Sequence, residues 1–301
     1  MKNILKRLYN FASRLKVKFI AHIYPKYLAN KTYRSVFHKD IDWDNPKNLI
    51  EKIYWLQLNT DTRLWSLCAD KYRVREFIKE RGCSETLNKL YGKWDNANDI
   101  DFDSLPMSFV LKINNSCGQI IIVNNKEELD YKDARNKLNR WLKSEYGYEG
   151  AQLHYTRIKP CIIAEELLTD ENKENTSLVD YKIWCFNGVP ECILVASERT
   201  WNSNGIDKYS LSMFDTEWNN ISNKALNDCS KHFDGKNVEK PKSLELMLNY
   251  ARKLSAGFPE VRVDFYEIKG KPIFGELTFT TGYGSYKEEF YEYLGSKVIL
   301  N

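Results

Sequence analysis

The clearest alternation of apolar and polar positions lies in residues 261–281. Val261, Val263 and Phe265 alternate with Arg262 and Asp264, and Ile273, Gly275 and Leu277 alternate with Phe274 and Glu276. A period of two predicts two strands, and Lys269 with Gly270 between them predicts a hairpin turn, so the strands are antiparallel neighbours. A hairpin turning there sets Asp264 and Glu276 roughly opposite each other. On one face, two carboxylates make a site for Mg²⁺, a hard cation that shares oxygen ligands with phosphates; the plainer reading is a solvated acid on each strand. Thr278 lies two residues beyond Glu276 and points to the same face, and residues 281–284 follow as a flexible loop that can close over a substrate.

The rest of the chain mixes helix and strand. Residues 1–24 interleave Ile4, Leu5, Leu8, Phe11, Leu15, Phe19 and Ile23 with Lys and Arg at near-helical spacing, which predicts a basic amphipathic helix. Its apolar side has two readings, contact with an anionic leaflet or docking on the rest of the protein. Residues 45–81 read as helices, one carrying Leu49, Ile53 and Leu56, and another capped by Asp70 and carrying Val74, Phe77 and Ile78. Lys71 then stands at a helix start, where the macrodipole disfavours a cation and a phosphate partner would explain it.

Residues 87–94 read as a short strand. Phe109, Val110, Leu111 and Ile113 form an apolar strand containing Lys112, and residues 115–118 turn directly into a second apolar run at 120–123. The turn is either a plain hairpin or a lid whose backbone N–H groups reach phosphates, with Lys112 as a point charge. Residues 127–146 predict a helix, and 161–164 an apolar strand ending in Glu165 and Glu166, either two acids that meet a ribose or an amine or simply an exposed strand end. Asp180 and Lys182 share one face of the strand before Asn187-Gly188, the strongest hairpin signal in the chain. Glu198 and Arg199 leave the strand that follows. Residues 170–177 read as a polar turn, 201–207 as a mobile loop, 222–242 as loop-like, and 244–255 as an amphipathic helix.

Composition and charge narrow the class. The 301 residues are 43% hydrophobic and 29% charged, an ordinary globular balance, and no apolar run approaches the roughly 18 residues a membrane span needs. Seven cysteines, odd in number and without CxxC spacing, argue against a disulfide framework or a structural zinc and fit a reducing cytosol. The four histidines lack ligand spacing, and neither GxSxG nor HExxH occurs. Net charge is +4, but Met1 to Phe37 holds nine Lys or Arg and no acid, leaving 36 basic against 41 acidic side chains elsewhere. The basic excess belongs to an arm rather than to a site, which is not the footprint of a nucleic-acid enzyme.

In order, DKYRVREF, SFVLKINNSCGQIIIV, IIAEELL, DYKIWCFNG and VRVDFYEIKGKPIFGELTFTTG resemble the ATP-grasp superfamily. More closely, they are similar to its TupA-like branch, named for a teichuronopeptide biosynthesis protein. The resemblance covers about residues 45–286. It implies an α+β ATP-grasp fold that holds ATP between two antiparallel sheets, with a basic arm at 1–44, a helical part at 45–107, a phosphate-lid subdomain at 108–168 and a metal and substrate subdomain at 169–301. Carried over residue by residue, it implies that Lys71 and Lys112 contact phosphates and that Ser116, Cys117, Gly118 and Gln119 form the phosphate-covering loop. It gives Glu165, Glu166, Leu167 and Leu168 to adenine and ribose, Asp180 and Lys182 to the nucleotide site, and Asp264 and Glu276 to Mg²⁺. Thr278 stands where many ATP-grasp ligases have an Asn that touches the metal, and is the poorer ligand. NNSCGQ has fewer glycines than is common in this branch, and TTGYG departs from the usual Pro-Gly loop. Arg199 is the candidate for stabilising an acyl phosphate or binding an acceptor carboxylate.

The resemblance implies an ATP- and Mg²⁺-dependent ligase that joins a carboxylate, a uronic acid of a bacterial surface polysaccharide, to an amino acid or other amine. Two alternatives stay open: a phosphotransferase acting on a sugar hydroxyl, and a non-catalytic glycan-assembly or membrane-associated binding protein. The expected partners are a nucleotide, an amine, a polysaccharide or lipid-linked glycan acceptor and the inner-membrane surface, with no nucleic acid. The expected location is the cytoplasm, including the inner face of the membrane.

Overall fold

Two antiparallel sheets face each other, and their cores are separate. In chain order, β1 (Leu90–Trp94), β2 (Phe109–Ile113), β3 (Ile120–Val123) and β4 (Ile162–Glu165) form a four-stranded sheet in the order β1-β4-β2-β3. A second sheet joins β5 (Asp180–Phe186), β6 (Val189–Asn202), β7 (Gly205–Asp215), β8 (Val261–Ile268) and β9 (Lys271–Thr278) in the order β7-β6-β5-β8-β9. This computed structural model describes residues 2–169, 178–202, 205–227 and 234–300, with backbone alone at 2–11, 14, 201–202 and 205–208. The polar turn expected at 170–177, together with Cys229 and His232, lies outside the described residues.

The helices are α1 (Lys2–Ile23), α2 (Pro25–Phe37), α3 (Leu49–Asn59), α4 (Arg63–Ala69), α5 (Val74–Glu80), α6 (Tyr131–Trp141), α7 (Ser222–Ala225), α8 (Leu244–Ser255) and α9 (Glu288–Lys297). Local chemistry sets their starts. Asn48 caps α3 by accepting from the Ile50 and Glu51 amides at 3.0 Å, and Glu51 returns the bond to the Asn48 amide at 3.1 Å, a complete capping box. Pro25 opens α2, where its missing N–H costs nothing. Asp70 accepts from the Tyr72 and Arg73 amides at 2.9 and 3.2 Å and so caps the turn into α5, as its position in the sequence predicts.

On the five-stranded sheet, α8 buries Met247, Leu248, Ala251 and Leu254 against the face opposite the cleft. Behind the smaller sheet, Phe109, Leu111, Ile113, Ile162 and Ala164 pack with Ala134 and Leu138 of α6. Alternation does the sorting: with Phe109, Leu111 and Ile113 facing α6, Lys112 is left on the cleft side.

Both hairpin signals hold. Asn187 and Gly188 have φ of 50° and 83°, and Lys269 and Gly270 have 52° and 73°, the two positive values of a type I′ turn.

Several boundaries differ from the sequence reading. The helix expected over 127–146 runs only from Tyr131 to Trp141, because Asp130 caps it by accepting from the Asp133 amide at 2.9 Å. Residues 201–202 and 205–207, expected as a mobile loop, continue β6 and β7, whose ladder reaches the pair Asn202 and Gly205. The arm contains a second helix, α2, that buries Leu28, Ala29 and Tyr33 in the main core, and β1, from within the helical stretch 45–107, joins the four-stranded sheet.

Candidate functional site

Between the sheets lies a cleft of about 700 Å³. Its described lining holds six cations (Lys71, Arg75, Lys112, Lys182, Arg199 and Arg262) against four carboxylates (Glu165, Asp180, Asp264 and Glu276), while Leu87, Leu168, Leu194 and Phe274 supply apolar wall. An excess of cations beside an apolar surface suits a phosphate-bearing ligand with a flat base.

The floor is built by register. Lys182 on β5 lies opposite Asp264 on β8, and Asp264 lies opposite Glu276 on β9. A two-residue turn at Lys269 and Gly270 would by itself place Asp264 opposite Gly275. The ladder instead slips by one residue between Asp264 and Phe265, a bulge that turns Glu276 onto the face of Asp264. Gly275 is the extra residue, and a Cβ there would stand 3.1 Å from the Asp264 carbonyl oxygen. The glycine thus permits the bulge that brings the two acids together.

Charges alternate along this floor. Arg199 and Lys182 meet Asp180 Oδ2 at 2.8 and 2.6 Å, and Lys182 Nζ also donates to Asp264 Oδ2 at 2.7 Å. Arg262 holds Asp264 with two bonds, Nε to Oδ1 at 2.7 Å and Nη2 to Oδ2 at 2.8 Å, and reaches Thr281 Oγ1 at 2.9 Å. Glu276 lies 3.6 Å from both Arg262 and Lys71. Burial opposes ionisation of Asp264, but Arg262 and Lys182 outweigh it and hold its carboxyl below the usual range. Glu276 is held low against burial in the same way, first by Lys71. Burial pushes the Lys182 ammonium down, and Asp180 and Asp264 more than reverse this.

The roof is simpler. Lys112 Nζ donates to Glu165 Oε2 at 2.8 Å, and Arg75 stands 3.4 Å from Glu165 Oε1 while binding Asn88. Asn114 fastens the loop that follows β2: its side chain donates to Asp70 and the Lys159 carbonyl and accepts from the Cys161 amide at 2.7 Å. Lys71 donates to the Ser116 carbonyl at 3.0 Å, tying roof to floor. Asn115 Oδ1 and Ser116 Oγ are buried without a hydrogen-bond partner among the described residues, and of the two the Ser116 hydroxyl, which lines the cleft, can donate to a phosphate oxygen.

Most residues singled out in the sequence line this one cleft. Lys71, Lys112, Ser116, Cys117, Gly118, Gln119, Glu165, Leu168, Asp180, Lys182, Arg199, Asp264 and Glu276 do so; Glu166, Leu167 and Thr278 are not in the lining. Glu166 turns outward, its carboxylate 3.4 Å from the Lys89 amide. The Thr278 hydroxyl accepts from Arg262 at 3.2 Å and donates to Glu276 at 3.1 Å. Sequence reasoning passes over Arg262 and Arg75. Arg262 could have been found, because it precedes Asp264 by two on an alternating strand and so shares its face; Arg75 carries no such signal.

Asp264 and Glu276 are the carboxylates a divalent ion would use. Asp264 is already engaged on both oxygens, whereas the Glu276 side chain is 39% exposed and meets no cation closer than 3.6 Å. No group of three or more His, Cys, Asp or Glu able to hold a metal occurs among the described residues. The residues therefore fit an ion that keeps waters and phosphate oxygens as its other ligands, the habit of Mg²⁺, with Glu276 as the accessible protein ligand.

Two antiparallel sheets enclosing a cationic cleft, with a lysine-bearing roof hairpin and paired acids on the floor, are the architecture of an ATP-grasp protein. The chain belongs to the TupA-like ATP-grasp family, whose model matches residues 51–299. No curated protein matches it. Among solved structures it is similar to D-alanine–D-alanine ligase from Bacillus anthracis complexed with ATP, at 14% identity and a TM-score of 0.46, covering 77% of this chain and 65% of that one. It is also similar to a D-cycloserine synthetase, at 9% identity and a TM-score of 0.43, covering 79% and 71%. Against another structure of the Bacillus anthracis D-alanine–D-alanine ligase the chain spans 59% of that chain's length.

Proposed function

We propose that this protein is an ATP- and Mg²⁺-dependent ligase that joins a carboxylate to an amine through an acyl phosphate. The observation that carries the reading is the excess of cations lining the cleft from both sides. Across the whole cleft, six cations (Lys71, Arg75, Lys112, Lys182, Arg199 and Arg262) outnumber the four carboxylates, so it can hold two mutually repelling anions, a γ-phosphate and a substrate carboxylate. The carboxylate oxygen attacks the γ-phosphorus and ADP leaves; the amine nitrogen then attacks the acyl carbon, phosphate leaves and the nitrogen loses a proton. Lys112 and Lys71 hold the phosphates, Arg262 and Arg199 orient the acidic substrate, and Asp264 fixes Arg262 and Lys182. Bound at Glu276, Mg²⁺ would neutralise charge on the β- and γ-phosphates.

The geometry favours this over a sugar kinase. A carboxylate is already ionised at neutral pH, whereas a sugar hydroxyl needs a base to take its proton. Asp264, the most buried carboxylate of the floor, has both oxygens engaged by Arg262 and Lys182 and is poorly placed to take that proton. The TupA-like branch supports a uronic acid of a bacterial surface polysaccharide as the carboxylate and an amino acid as the amine. The basic arm fits a cytoplasmic enzyme that meets a lipid-linked glycan at the inner face of the membrane.

Incubation with ATP, Mg²⁺, uronic-acid glycans and mixed amino acids tests the reaction. Ligation releases ADP and free phosphate together and adds the mass of the amine less one water. A product heavier by a phosphoryl group would replace the ligase by a kinase.

A further inference from the structure

The first two helices carry an apolar ridge that no described residue covers. In α1 the side toward the body is marked by Ala21, which is buried, and Ile20, which packs on the main core. Lys18 on that side pairs with Glu145 and lies over the Tyr148 ring, 5.5 Å from its centroid. Away from the body, Leu15, Phe19 and Ile23, spaced by four, are 50%, 62% and 55% exposed. Tyr24 and Tyr27, at 59% and 61%, carry the ridge into α2. In sequence, Phe11 and Leu8 precede Leu15 by four and seven residues and keep the helical spacing. Five large side chains this exposed within thirteen residues exceed the scattered apolar exposure of an ordinary surface.

The ridge is free, but the arm is not. Tyr33 of α2 is fully buried, donates to Glu51 Oε1 at 3.1 Å and accepts from Asn48 at 2.6 Å, which fastens the arm to α3. Phe37, at the end of α2, stacks 4.4 Å from Tyr33 and sits 6.0 Å from Tyr283 in the loop bordering the cleft.

Charge decides what the ridge meets. Nine Lys or Arg and no acid occupy residues 1–37; with Lys18 and Arg34 paired to Glu145 and Asp40 the arm still carries a basic excess, so two such arms repel, whereas an anionic lipid surface attracts them at on the order of 1 kcal/mol for each basic residue near it. We infer that the ridge of Leu15, Phe19, Ile23, Tyr24 and Tyr27 is a docking surface for an anionic bilayer, with apolar side chains entering the interface and basic ones meeting headgroups. Through Phe37 and Tyr283, the same arm packs beside the loop that borders the cleft. The inference rests on the proposed placement at a membrane and not on the ligase chemistry.

Co-sedimentation of the full chain with phosphatidylcholine vesicles, with and without phosphatidylglycerol, tests it. Binding is expected only with the anionic lipid and weakens as salt rises, because screening at physiological ionic strength acts over about 8 Å. The double variant Leu15→Glu, Phe19→Glu changes only exposed side chains; it should melt like the parent, keep its thermal shift with Mg²⁺-ATP, and bind vesicles at least about tenfold more weakly. Failure of the parent to sediment with anionic vesicles, or equal binding by the variant, overturns the inference. A dimer in sedimentation velocity that the variant dissociates, without vesicle binding, assigns the ridge to self-association instead. Vesicle binding without any Mg²⁺-ATP shift leaves the docking surface standing and removes the ligase reading.

Discussion

On the five-stranded sheet, Arg199 and Lys182 pair with Asp180, Lys182 reaches across to Asp264 on the next strand, and Arg262 holds Asp264 a second time. On the four-stranded sheet, one carboxylate, Glu165, serves both Lys112 and Arg75, and the loop beyond β2 is fastened chiefly through Asn114. The floor strands β5 and β8 each have a partner on both sides, whereas the roof loop leads into β3, an edge strand. A charge placed by two neighbours is over-determined, and one placed on an edge hairpin opens at lower free energy. Under the proposed function the floor is the part expected to orient the reacting groups, and the roof the part expected to give way to an entering nucleotide.

The hardest test of that contrast is Asp264→Asn. The change removes the carboxylate that Arg262 and Lys182 share, leaving buried Arg262 with Glu276 at 3.6 Å as its nearest acid, and breaking a buried pair costs about 3–5 kcal/mol. Chemical denaturation should show a loss of that order together with lost turnover; an unchanged midpoint would mean that the floor is not locked by its charges.

Next comes Glu276→Gln. This side chain is open to the cleft and only 3.6 Å from its cations, so stability should change by less than about 1 kcal/mol. Turnover should fall at least about 100-fold, or ~2.7 kcal/mol, since metal charge stabilisation is worth several kcal/mol. Near-normal turnover would make the residue structural.

Acid should weaken the support under the floor. His154 is fully buried among Trp65, Tyr155 and Phe279, both ring nitrogens lack a partner among the described residues, and burial with Arg157 pushes its pKa down to about 3. Unfolded, the ring takes up a proton below about pH 6.5. Between those values the unfolded state binds more protons, so stability rises with pH there: it is full above pH 6.5 and lost as pH falls, by ~1.4 kcal/mol per unit. That is about 2 kcal/mol at pH 5. The carboxyls of Asp264 and Glu276 add a second loss only below the ordinary carboxylate range, because their folded values are lowered. Denaturation at pH 7.5 and 5 should show the first slope, and His154→Phe should flatten it; an equal slope in the variant would clear His154 of the role.

The mildest effect belongs to the roof. Lys112→Ala should weaken Mg²⁺-ATP binding about tenfold, ~1.4 kcal/mol, by calorimetry, with a melting point near that of the parent. A fall in stability like that of Asp264→Asn would erase the contrast between the sheets.

Much of this arrangement is legible in the residue pattern, because turns and alternation are local. Asn187-Gly188 and Lys269-Gly270 need no distant contact to form their turns, and a period of two already assigns Lys112, Asp180, Lys182 and Asp264 to one face of their strands. The resemblance then implies that those strands surround one nucleotide. The arm shows the limit: spacing identifies its apolar stripe, but which side meets the body depends on Ala21, Ile20 and the anchoring of α2 at Tyr33, contacts with segments far along the chain.

The sequence by itself determined the hairpins, the faces of their strands and the supply of lysines and acids. Tertiary structure decided the pairing. A regular hairpin would have set Asp264 against Gly275, and the bulge exists because Glu276 is stable beside Arg262 and Lys71 on the cleft face while Leu277 is buried on the other. It likewise decided that Arg75, from a helix, shares Glu165 with Lys112. The physical reason is range: a turn is chosen by the φ of two residues, whereas register, burial and ion pairing are chosen by partners that only the folded chain brings within reach.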